Sequence, residues 1–323
     1  MNSTMFQGGR LYTLMVSIAA AALGYLAFSL WAGWQDVLAA FSLVGAVGVL
    51  IILALSLVNY SLRFVRWQLY LSALGHPTPT VPSGLIYVSG FALTTTPGKA
   101  GEMLRGVFLK ARGIPYSHST AAFLSDRLSD LVAIILLTLQ GLALYPQARV
   151  TVLLGVAIVA LGLLLLTRKD WFMALAKRVS KYKGRVAGFI HYLLLSLIEA
   201  CCCHTPKLLL TATILSLFAW SAEAYSFHLI LQWMGIEVSV SFSFFVYAIS
   251  GLAGAIIFLP GGLGGAEVVM VALLIWAGMP EAEAVAATII IRLATLWFAV
   301  ALGGLALLFG GGVLRRDDSE VNV

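Results

Sequence analysis

The sequence predicts an all-α polytopic membrane protein, a single membrane domain over 1–323 that contains an inverted structural repeat. Three observations lead to this prediction: the composition, the series of apolar stretches, and the similarity of the second half of the chain to the first. Of the 323 residues, 61% are hydrophobic and 11% are charged, whereas about 25% of the residues of a soluble domain are charged. Because a water-soluble fold cannot bury so much apolar surface, the composition excludes a soluble enzyme, a disordered chain and a secreted disulfide scaffold.

Six apolar stretches are candidates for full membrane spans, since a spanning helix needs about 20 apolar residues. Two further apolar stretches, 82–97 and 242–259, each lead into a Pro-Gly break and then a short helical stretch. Each of these two broken segments forms either a re-entrant hairpin or a pair of short spans. The predicted architecture is therefore six full spans plus two broken or re-entrant helical hairpins. The six spans are 11–31 (the first helix), 45–72, 118–143, 150–167, 207–233 and 282–309.

The placement of the basic residues predicts the orientation. Between 168 and 185 the chain carries seven Lys and Arg residues and one Asp, so the positive-inside rule places this part in the cytoplasm. Both termini are then cytoplasmic, in a bacterial-type plasma (inner) membrane. We interpret 168–206, the basic segment, as an interfacial segment that lies on anionic lipid headgroups. The net charge of +6 reflects membrane topology, and no nucleic-acid partner is expected.

An internal repeat relates 45–143, the first copy, to 207–309, the second copy, and 150–167 is a linking helix between them. Three polar matches keep the same order in both copies: Tyr87 with Tyr247, Glu102 with Glu267, and Arg127 with Arg292. The offset is 160 residues at the first of these and 165 at the other two. Chance similarity between apolar helices does not keep charged residues in register. Because an odd number of crossings separates the copies, we expect them to have opposite orientations, as in many secondary transporters.

Nine charged residues fall inside the predicted membrane segments. A charge at the bilayer centre costs roughly 3 kcal/mol, so such residues usually pair or line a water-filled cavity. We interpret them as residues that bind a headgroup or couple its movement: Lys99, Glu102, Arg105, Asp126, Arg127, Asp130, Glu223, Glu267 and Arg292. The repeat predicts that each Glu faces the Arg of the following span, Glu102 with Arg127 and Glu267 with Arg292. Ion pairs that only fix the packing are an equally good interpretation.

Two smaller groups of residues leave alternatives open. Asp126 and Asp130 share one helix face, and they either carry protons or pair with Arg105 or Arg127. Three polar residues on the second span form either a headgroup entrance or an interfacial anchor: Asn59, Arg63 and Arg66. Glu223 replaces Arg63 in the second copy, so the two half-sites are expected to be chemically unlike. The lone histidines His118 and His228 are interpreted as packing residues rather than ligands.

The two breaks share a composition of proline and glycine. Unwound backbone at membrane depth is tolerated only where protein or water satisfies it, and the helix that restarts after each break has a partially positive N-terminus. With the basic residues nearby, this centre is expected to hold an anionic group such as a lipid phosphate. The alternative is a packing device in which glycines allow close helix contact. The break residues are Pro97, Gly98, Gly101, Pro260, Gly261, Gly262 and Gly264.

Four motifs carry a family resemblance. They are Asn59-x-x-x-Arg63-x-x-Arg66-Trp67, Pro97-Gly98-Lys99-Ala100-Gly101-Glu102-x-x-Arg105, Asp126-Arg127-x-x-Asp130 and Pro260-Gly261-Gly262-x-Gly264-x-x-Glu267. Over roughly 10–312 the chain resembles the flippase-like membrane family that includes the transmembrane region of bacterial lysylphosphatidylglycerol synthetases. The resemblance implies movement of lipids between leaflets. Because the chain stops at Val323, we expect neither a synthetase domain nor lysyl-lipid synthesis.

The predicted function is that of a lipid flippase or transporter rather than an enzyme. It would move a lipid with an anionic headgroup, of phospholipid or polyprenyl-phosphate type, between leaflets through a central polar cavity. The sequence has no Walker-type motif, so ATP is not expected to drive it directly, and no cofactor or metal is expected. Two alternatives are an intramembrane lipid-modifying enzyme and a non-transporting partner in envelope lipid synthesis. The expected partner is a membrane lipid, and a homo-oligomer is left open.

Overall fold

The structure, a computed structural model, describes residues 34–95, 100–141, 149–166, 168–256 and 264–311. In these ranges the chain is helical and contains no strand, so the all-α prediction is confirmed there. The predicted first helix lies outside the described residues. The helices are α1 (Trp34–Ala73), α2 (Thr80–Ser89), α3 (Leu104–Ala111), α4 (Tyr116–Gly141), α5 (Arg149–Leu166), α6 (Lys169–Val179), α7 (Arg185–Cys202), α8 (Pro206–Trp233), α9 (Val240–Ile256), α10 (Gly265–Trp276), α11 (Glu281–Arg292) and α12 (Phe298–Phe309).

Three short helical turns complete the broken segments and the last span. The 3₁₀ turn Gly90–Leu93 extends α2, and the 3₁₀ turn Ala100–Met103 precedes α3. A π-helical turn, Leu293–Trp297, joins α11 to α12. In each broken segment the described residues form one helix before the predicted break and another helix after it.

Four described helical stretches are long and apolar enough to cross a membrane. They are Gln35–Ala73, Arg185–Cys202, Pro206–Trp233 and Glu281–Phe309. Three of them coincide with predicted spans. The fourth, Arg185–Cys202, falls in the basic segment that the sequence predicts to lie on the surface, so its length and composition also permit a crossing. Helices α4 and α5 occupy the positions of two other predicted spans.

The long helix α1 bends at Gly45, which has a φ of 66°. Only glycine adopts this left-handed conformation at little cost, so the residue divides α1 into a short first part and a long second part. The second part coincides with the predicted span 45–72. At the equivalent position of the second copy, Thr205 precedes α8 and Pro206 occupies its first turn, where proline is well tolerated.

Equivalent helices of the two copies also end in the same way. Gly75 after α1 and Gly235 after α8 have φ values of 82° and 79°. Gly113 after α3 and Gly278 after α10 have φ values of 84° and 94°. When a glycine in the left-handed conformation ends a helix, its own N–H group and that of the next residue donate hydrogen bonds to the last carbonyl groups of the helix. The local backbone therefore repeats where the sequence repeats, while the inverted relation of the complete copies stays a prediction.

Helices α1 and α8 pack against each other in opposite directions. Three contacts along the pair establish this direction: Gly48 with Trp233, Asn59 with Ala219, and Arg66 with Ser216. Residue numbers rise along α1 while they fall along α8, so the helices are antiparallel. In the central contact, Asn59 Nδ2 donates to the carbonyl oxygen of Ala219 at 2.8 Å.

Each broken segment packs against the closing helix of the other copy. The turn Gly90–Leu93 and helix α2 lie against α12, and α9 lies against α4. Gly303 of α12 is so close to the backbone of Phe91 and Ala92 that a Cβ atom would collide with it. One apolar cluster centres on α8 to α11 and another on α1 to α4, and the charged residues described next lie beside the second cluster.

Candidate functional site

A network of buried charged side chains lies where α1, α3 and α4 meet. Its described members, hereafter the buried charge network, are four arginines and three carboxylates: Arg63, Arg66, Arg105, Arg127, Glu102, Asp126 and Asp130. The arginines exceed the carboxylates by one, so the network carries one excess positive charge. The side chain of Arg127 is 21% exposed and the other six are nearly enclosed.

Helix α4 presents its two aspartates to the arginines of α1. Asp126 Oδ1 accepts a hydrogen bond from Arg66 Nε at 3.0 Å, and Asp130 Oδ1 accepts one from Arg66 Nη2 at 2.8 Å. Arg63 Nη2 donates to Asp130 Oδ2 at 3.0 Å, and Trp220 Nε1 donates to the Oδ1 atom of the same aspartate at 3.0 Å. Residues four apart share a helix face, which explains how both carboxylates reach the same helix.

Asn59, Arg63 and Arg66 are buried, so the interpretation of these residues as an interfacial anchor is wrong. Arg66 is fully enclosed, and it does not line an open entrance in this conformation. The physical reason is that Asp126 and Asp130 neutralise the guanidinium groups inside the helix bundle.

Both repeat-related ion pairs are formed, which confirms the predicted pairing. Arg127 Nη2 lies 3.3 Å from Glu102 Oε2. Arg292 Nε donates to Glu267 Oε1 at 2.6 Å. In each copy the Glu follows the break and the Arg lies on the next span, so the same distance along the chain produces the same contact.

The breaks themselves are only partly within the described residues. Pro97, Gly98 and Lys99, and likewise Pro260, Gly261 and Gly262, lie outside them, and Gly101 belongs to the turn Ala100–Met103. Gly264 has a φ of 86° and precedes α10. Its N–H donates to Glu267 Oε2 at 2.8 Å. The expectation of free N–H groups for an anion is therefore wrong for Gly264, because the carboxylate of Glu267 already binds its N–H.

Arg105 lies apart from the aspartates, against aromatic rings. Its guanidinium carbon is 4.0 Å from the ring centroid of Tyr87 and 5.4 Å from those of Trp67 and Phe91. Its Nε donates to the carbonyl oxygen of Tyr87 at 3.0 Å, and its Nη1 lies 3.2 Å from Glu102 Oε2. The suggested pairing of Asp126 and Asp130 with Arg105 is therefore wrong, whereas their pairing with Arg127 is confirmed.

The second copy is chemically different at the equivalent positions. Glu223, which replaces Arg63, is buried and accepts a hydrogen bond from the hydroxyl of Tyr247 at 2.6 Å. His228 hydrogen-bonds Ser243 at 3.0 Å, as expected of a packing residue. The remaining charges of the network have neutral equivalents: Ser226 for Arg66, Met270 for Arg105, Ile291 for Asp126 and Thr295 for Asp130.

A family model described as the lysylphosphatidylglycerol synthase TM region matches residues 14–303. The chain belongs to this family. It is similar to a UPF0104 membrane protein of Methanothermobacter thermautotrophicus, with 26% identity over 301 residues that cover 87% of this chain and 88% of the relative. It is also similar to a UPF0104 membrane protein of Pyrococcus horikoshii, with 24% identity over 310 residues that cover 86% and 91%.

Membership in the lysylphosphatidylglycerol synthase TM region family, together with the long apolar helices, identifies a multi-pass membrane protein. Within it, a groove of about 730 Å³ lies between α10 and α11. Its walls are mainly aliphatic, and two carboxylates belong to it: the buried Glu267 and the exposed Glu281. The groove therefore reaches the ion pair of the second copy from the surface of the molecule.

A pair of histidines connects the loop between α1 and α2 to α4, and through Glu199 to α7. His76 Nε2 and His118 Nδ1 are 2.8 Å apart, and His118 Nε2 lies 3.7 Å from Glu199 Oε2 of α7. Burial, and then the neighbouring His118, lower the pKa of His76, which lies between α1 and α2. The interpretation of His118 as a lone histidine is therefore wrong, because its partners are distant in sequence and no local pattern indicates them.

Proposed function

We propose that this protein moves a lipid with an anionic headgroup, of phospholipid or polyprenyl-phosphate type, between the leaflets of the bilayer. The observation that carries the proposal is the buried charge network, with its one excess positive charge inside apolar helices. Arginine binds phosphate oxygens in a fork-like geometry and keeps its charge when buried. A lipid phosphate would balance the excess charge.

Stability alone is a poor explanation for the network. Replacing a buried ion pair by well-packed hydrophobic residues is often neutral or stabilising by about 1–4 kcal/mol. The second copy provides an internal comparison, because it builds equivalent helices with Ile291 and Met270 in place of Asp126 and Arg105. Since the helices form without these charges, we attribute the charges of the first copy to ligand binding.

We further propose that the two copies are inverted and that the protein works by alternating access. The antiparallel packing of α1 and α8 supports this, and so does the hydrogen bond between Asn59 and Ala219, which are equivalent positions at the offset of 160. In transporters with inverted repeats, broken helices form the substrate site and one repeat rocks against the other. The two broken segments would then open toward opposite sides.

The groove between α10 and α11 offers room for part of an amphiphile. Its volume of about 730 Å³ falls within the range of roughly 300–1,000 Å³ that is typical of ligand pockets. Aliphatic walls suit an acyl or prenyl chain. The headgroup attached to that chain would then contact the ion pair of Glu267 with Arg292. We propose that this groove admits lipid from the outer leaflet.

The orientation is also part of the proposal: a plasma (inner) membrane location, with both termini and the basic segment in the cytoplasm. Exposed aromatic residues lie among the Lys and Arg residues of α6, α7 and the turn between them, for example Trp171, Tyr182 and Phe189. Rings that bury in the interface beside basic residues favour anionic headgroups.

Purified protein in liposomes tests the transport directly. Fluorescent phospholipids in the two leaflets are distinguished by chemical quenching of the outer leaflet, and the rate of exchange is measured. We expect Glu267→Gln to slow the exchange at least tenfold, because it removes the carboxylate charge beside Arg292. Glu283→Gln is the matched control, since Glu283 is exposed at the start of α11 and the substitution removes the same charge.

Equal rates for Glu267→Gln and wild type would contradict the role of this ion pair. Wild-type protein that does not exchange any tested phospholipid or polyprenyl phosphate would contradict transport and favour a non-transporting partner. Chemically altered lipid in the mass spectrum of the recovered vesicles would favour the intramembrane enzyme.

A further inference from the structure

Several donor atoms around the first broken segment are buried without a hydrogen-bond partner among the described residues, and four of them lie on three neighbouring side chains. These four atoms are Arg105 Nη1 and Nη2, Trp67 Nε1 and the hydroxyl of Tyr87. All three side chains are at most 1% exposed. Leaving a buried donor unsatisfied costs about 1–3 kcal/mol, and native proteins normally supply a water or a ligand at such a place.

The donors come from three different elements and lie close together. Trp67 belongs to α1, Tyr87 to α2 and Arg105 to α3. The guanidinium group stacks on the ring of Tyr87 at 4.0 Å and lies 5.4 Å from the ring of Trp67. A cation, an indole N–H and a phenol hydroxyl therefore lie in one place, and the carboxylate of Glu102 lies beside them, 3.2 Å from Arg105 Nη1.

A small cavity of about 40 Å³ adjoins two of the three donor side chains, those of Arg105 and Trp67. Its walls include Arg105, Trp67 and Glu102, and they also include residues of α4 and α7. Tyr192 of the basic segment also lines it, and its hydroxyl lies 2.5 Å from Thr120 Oγ1. Since about 10–15 Å³ suffices for one water, the cavity has room for a few waters or for one small oxyanion.

Arg105 differs from the other arginines of the network in how its charge is matched. Arg63 and Arg66 bind the two aspartates, and Arg127 contacts all three carboxylates. Of the carboxylates in the described part of the chain, Arg105 contacts Glu102, and Glu102 also binds Arg127. The excess positive charge of the network is therefore concentrated at Arg105.

The second copy lacks two of the three donor side chains. Met270 takes the place of Arg105 and Phe227 the place of Trp67. Both replacements are buried, so the fold accommodates apolar side chains of these shapes at the equivalent positions. The donor cluster is thus an addition to the first copy rather than a requirement of the repeat.

We propose that Arg105, Trp67 and Tyr87 form a binding subsite for a phosphate-type oxyanion, which displaces water from the small cavity. The inference rests on the proposed function and assigns the phosphate to one arginine, whereas Arg63 and Arg66 position the helices. The oxyanion is either the phosphate of a lipid headgroup or free phosphate, since the same donors serve both.

Binding of two probes to the purified protein in detergent tests the subsite. Isothermal titration measures the affinity for dihexanoyl phosphatidic acid and, separately, for inorganic phosphate. We expect Arg105→Met to weaken binding at least tenfold and Trp67→Phe to weaken it about two- to tenfold, as loss of one neutral hydrogen bond implies. Arg112→Met, at the residue that follows the same helix, removes an equal charge and is expected to stay within twofold of wild type.

The outcomes separate the sources of the oxyanion. Affinity for phosphatidic acid alone, lost in Arg105→Met, supports a lipid headgroup, and equal affinity for inorganic phosphate supports a free anion. Absence of binding of both probes to wild type, or unchanged binding in Arg105→Met, overturns the subsite. The exchange rate of wild type in liposomes tests the proposed function independently, so either idea is able to fail without the other.

Discussion

Asp126 holds the buried charge network together, and its replacement by Ile offers a quantitative test of the energetics. The carboxylate is fully enclosed, and it binds Arg66 through Nε at 3.0 Å and Arg127 through Nη2 at 2.8 Å. Ile291 occupies the equivalent position in the second copy, so an isoleucine side chain is compatible with the equivalent helix. Asp126→Ile leaves two carboxylates against four arginines.

The magnitude follows from the charge that remains unmatched. Breaking a buried ion pair by removing one partner costs about 3–5 kcal/mol, which corresponds to roughly a hundredfold or more in the folding equilibrium. The double variant Arg66→Met/Asp126→Ile removes one charge of each sign and restores the original excess. We expect it to recover most of the loss, because hydrophobic replacement of a complete pair is nearly neutral.

Reversible unfolding in mixed micelles, followed as a function of denaturant, gives the free energy of unfolding for each variant. The single variant, the double variant and Arg66→Met form a double-mutant cycle that isolates the coupling energy. Asp170→Asn, at an exposed site, is the control and is expected to change the stability by less than about 0.5 kcal/mol. A loss below about 1 kcal/mol for Asp126→Ile, or a double variant no more stable than the single, would show that Asp126 does not stabilise the fold by neutralising Arg66.

Two further predictions concern packing and pH. Gly303→Ala should lower the melting temperature of the purified protein, because a Cβ atom at this position would collide with the backbone at Ala92. Gly304→Ala is the control and should leave the melting temperature unchanged, because a Cβ atom there meets nothing within 4 Å. Equal melting temperatures of the two variants would contradict the close contact. The lowered pKa of His76, caused by burial and by His118, means that the folded state favours the neutral imidazole. Stability is then full above the ordinary histidine pKa of about 6.5 and falls as the pH drops through that value. Melting temperatures between pH 7.5 and pH 5.5 should decrease less in His76→Gln than in wild type, and parallel curves would argue against this contribution.

Part of the candidate site could be predicted because the chain contains its own comparison. The pairs of Glu102 with Arg127 and of Glu267 with Arg292 share the spacing along the sequence, and a repeated spacing indicates a repeated contact. The positive-φ glycines after equivalent helices follow from the same duplication. A periodic pattern in one helix predicts which residues share a face, as Asp126 and Asp130 do.

The partners of Arg66 could not be predicted in this way. The aromatic residues Trp67 and Tyr70 beside it are typical of a membrane interface, which favours an exposed arginine. The aspartates that bury it lie on another helix, and pairing between distant helices leaves no local signature. The stretch Arg185–Cys202 is ambiguous for a related reason, since basic residues near its start favour a surface location while its apolar remainder favours a crossing.

The exchange of packing partners between the copies has a consequence for synthesis of the chain. The turn Gly90–Leu93 is buried, and it packs on Phe298–Phe309, which follows about two hundred residues later. At a translation rate of about 5–20 residues per second, the first broken segment waits some 10–40 s for the helix that encloses it. A ribosome stalled before α12 would thus hold a chain whose first half is complete in sequence but cannot yet close.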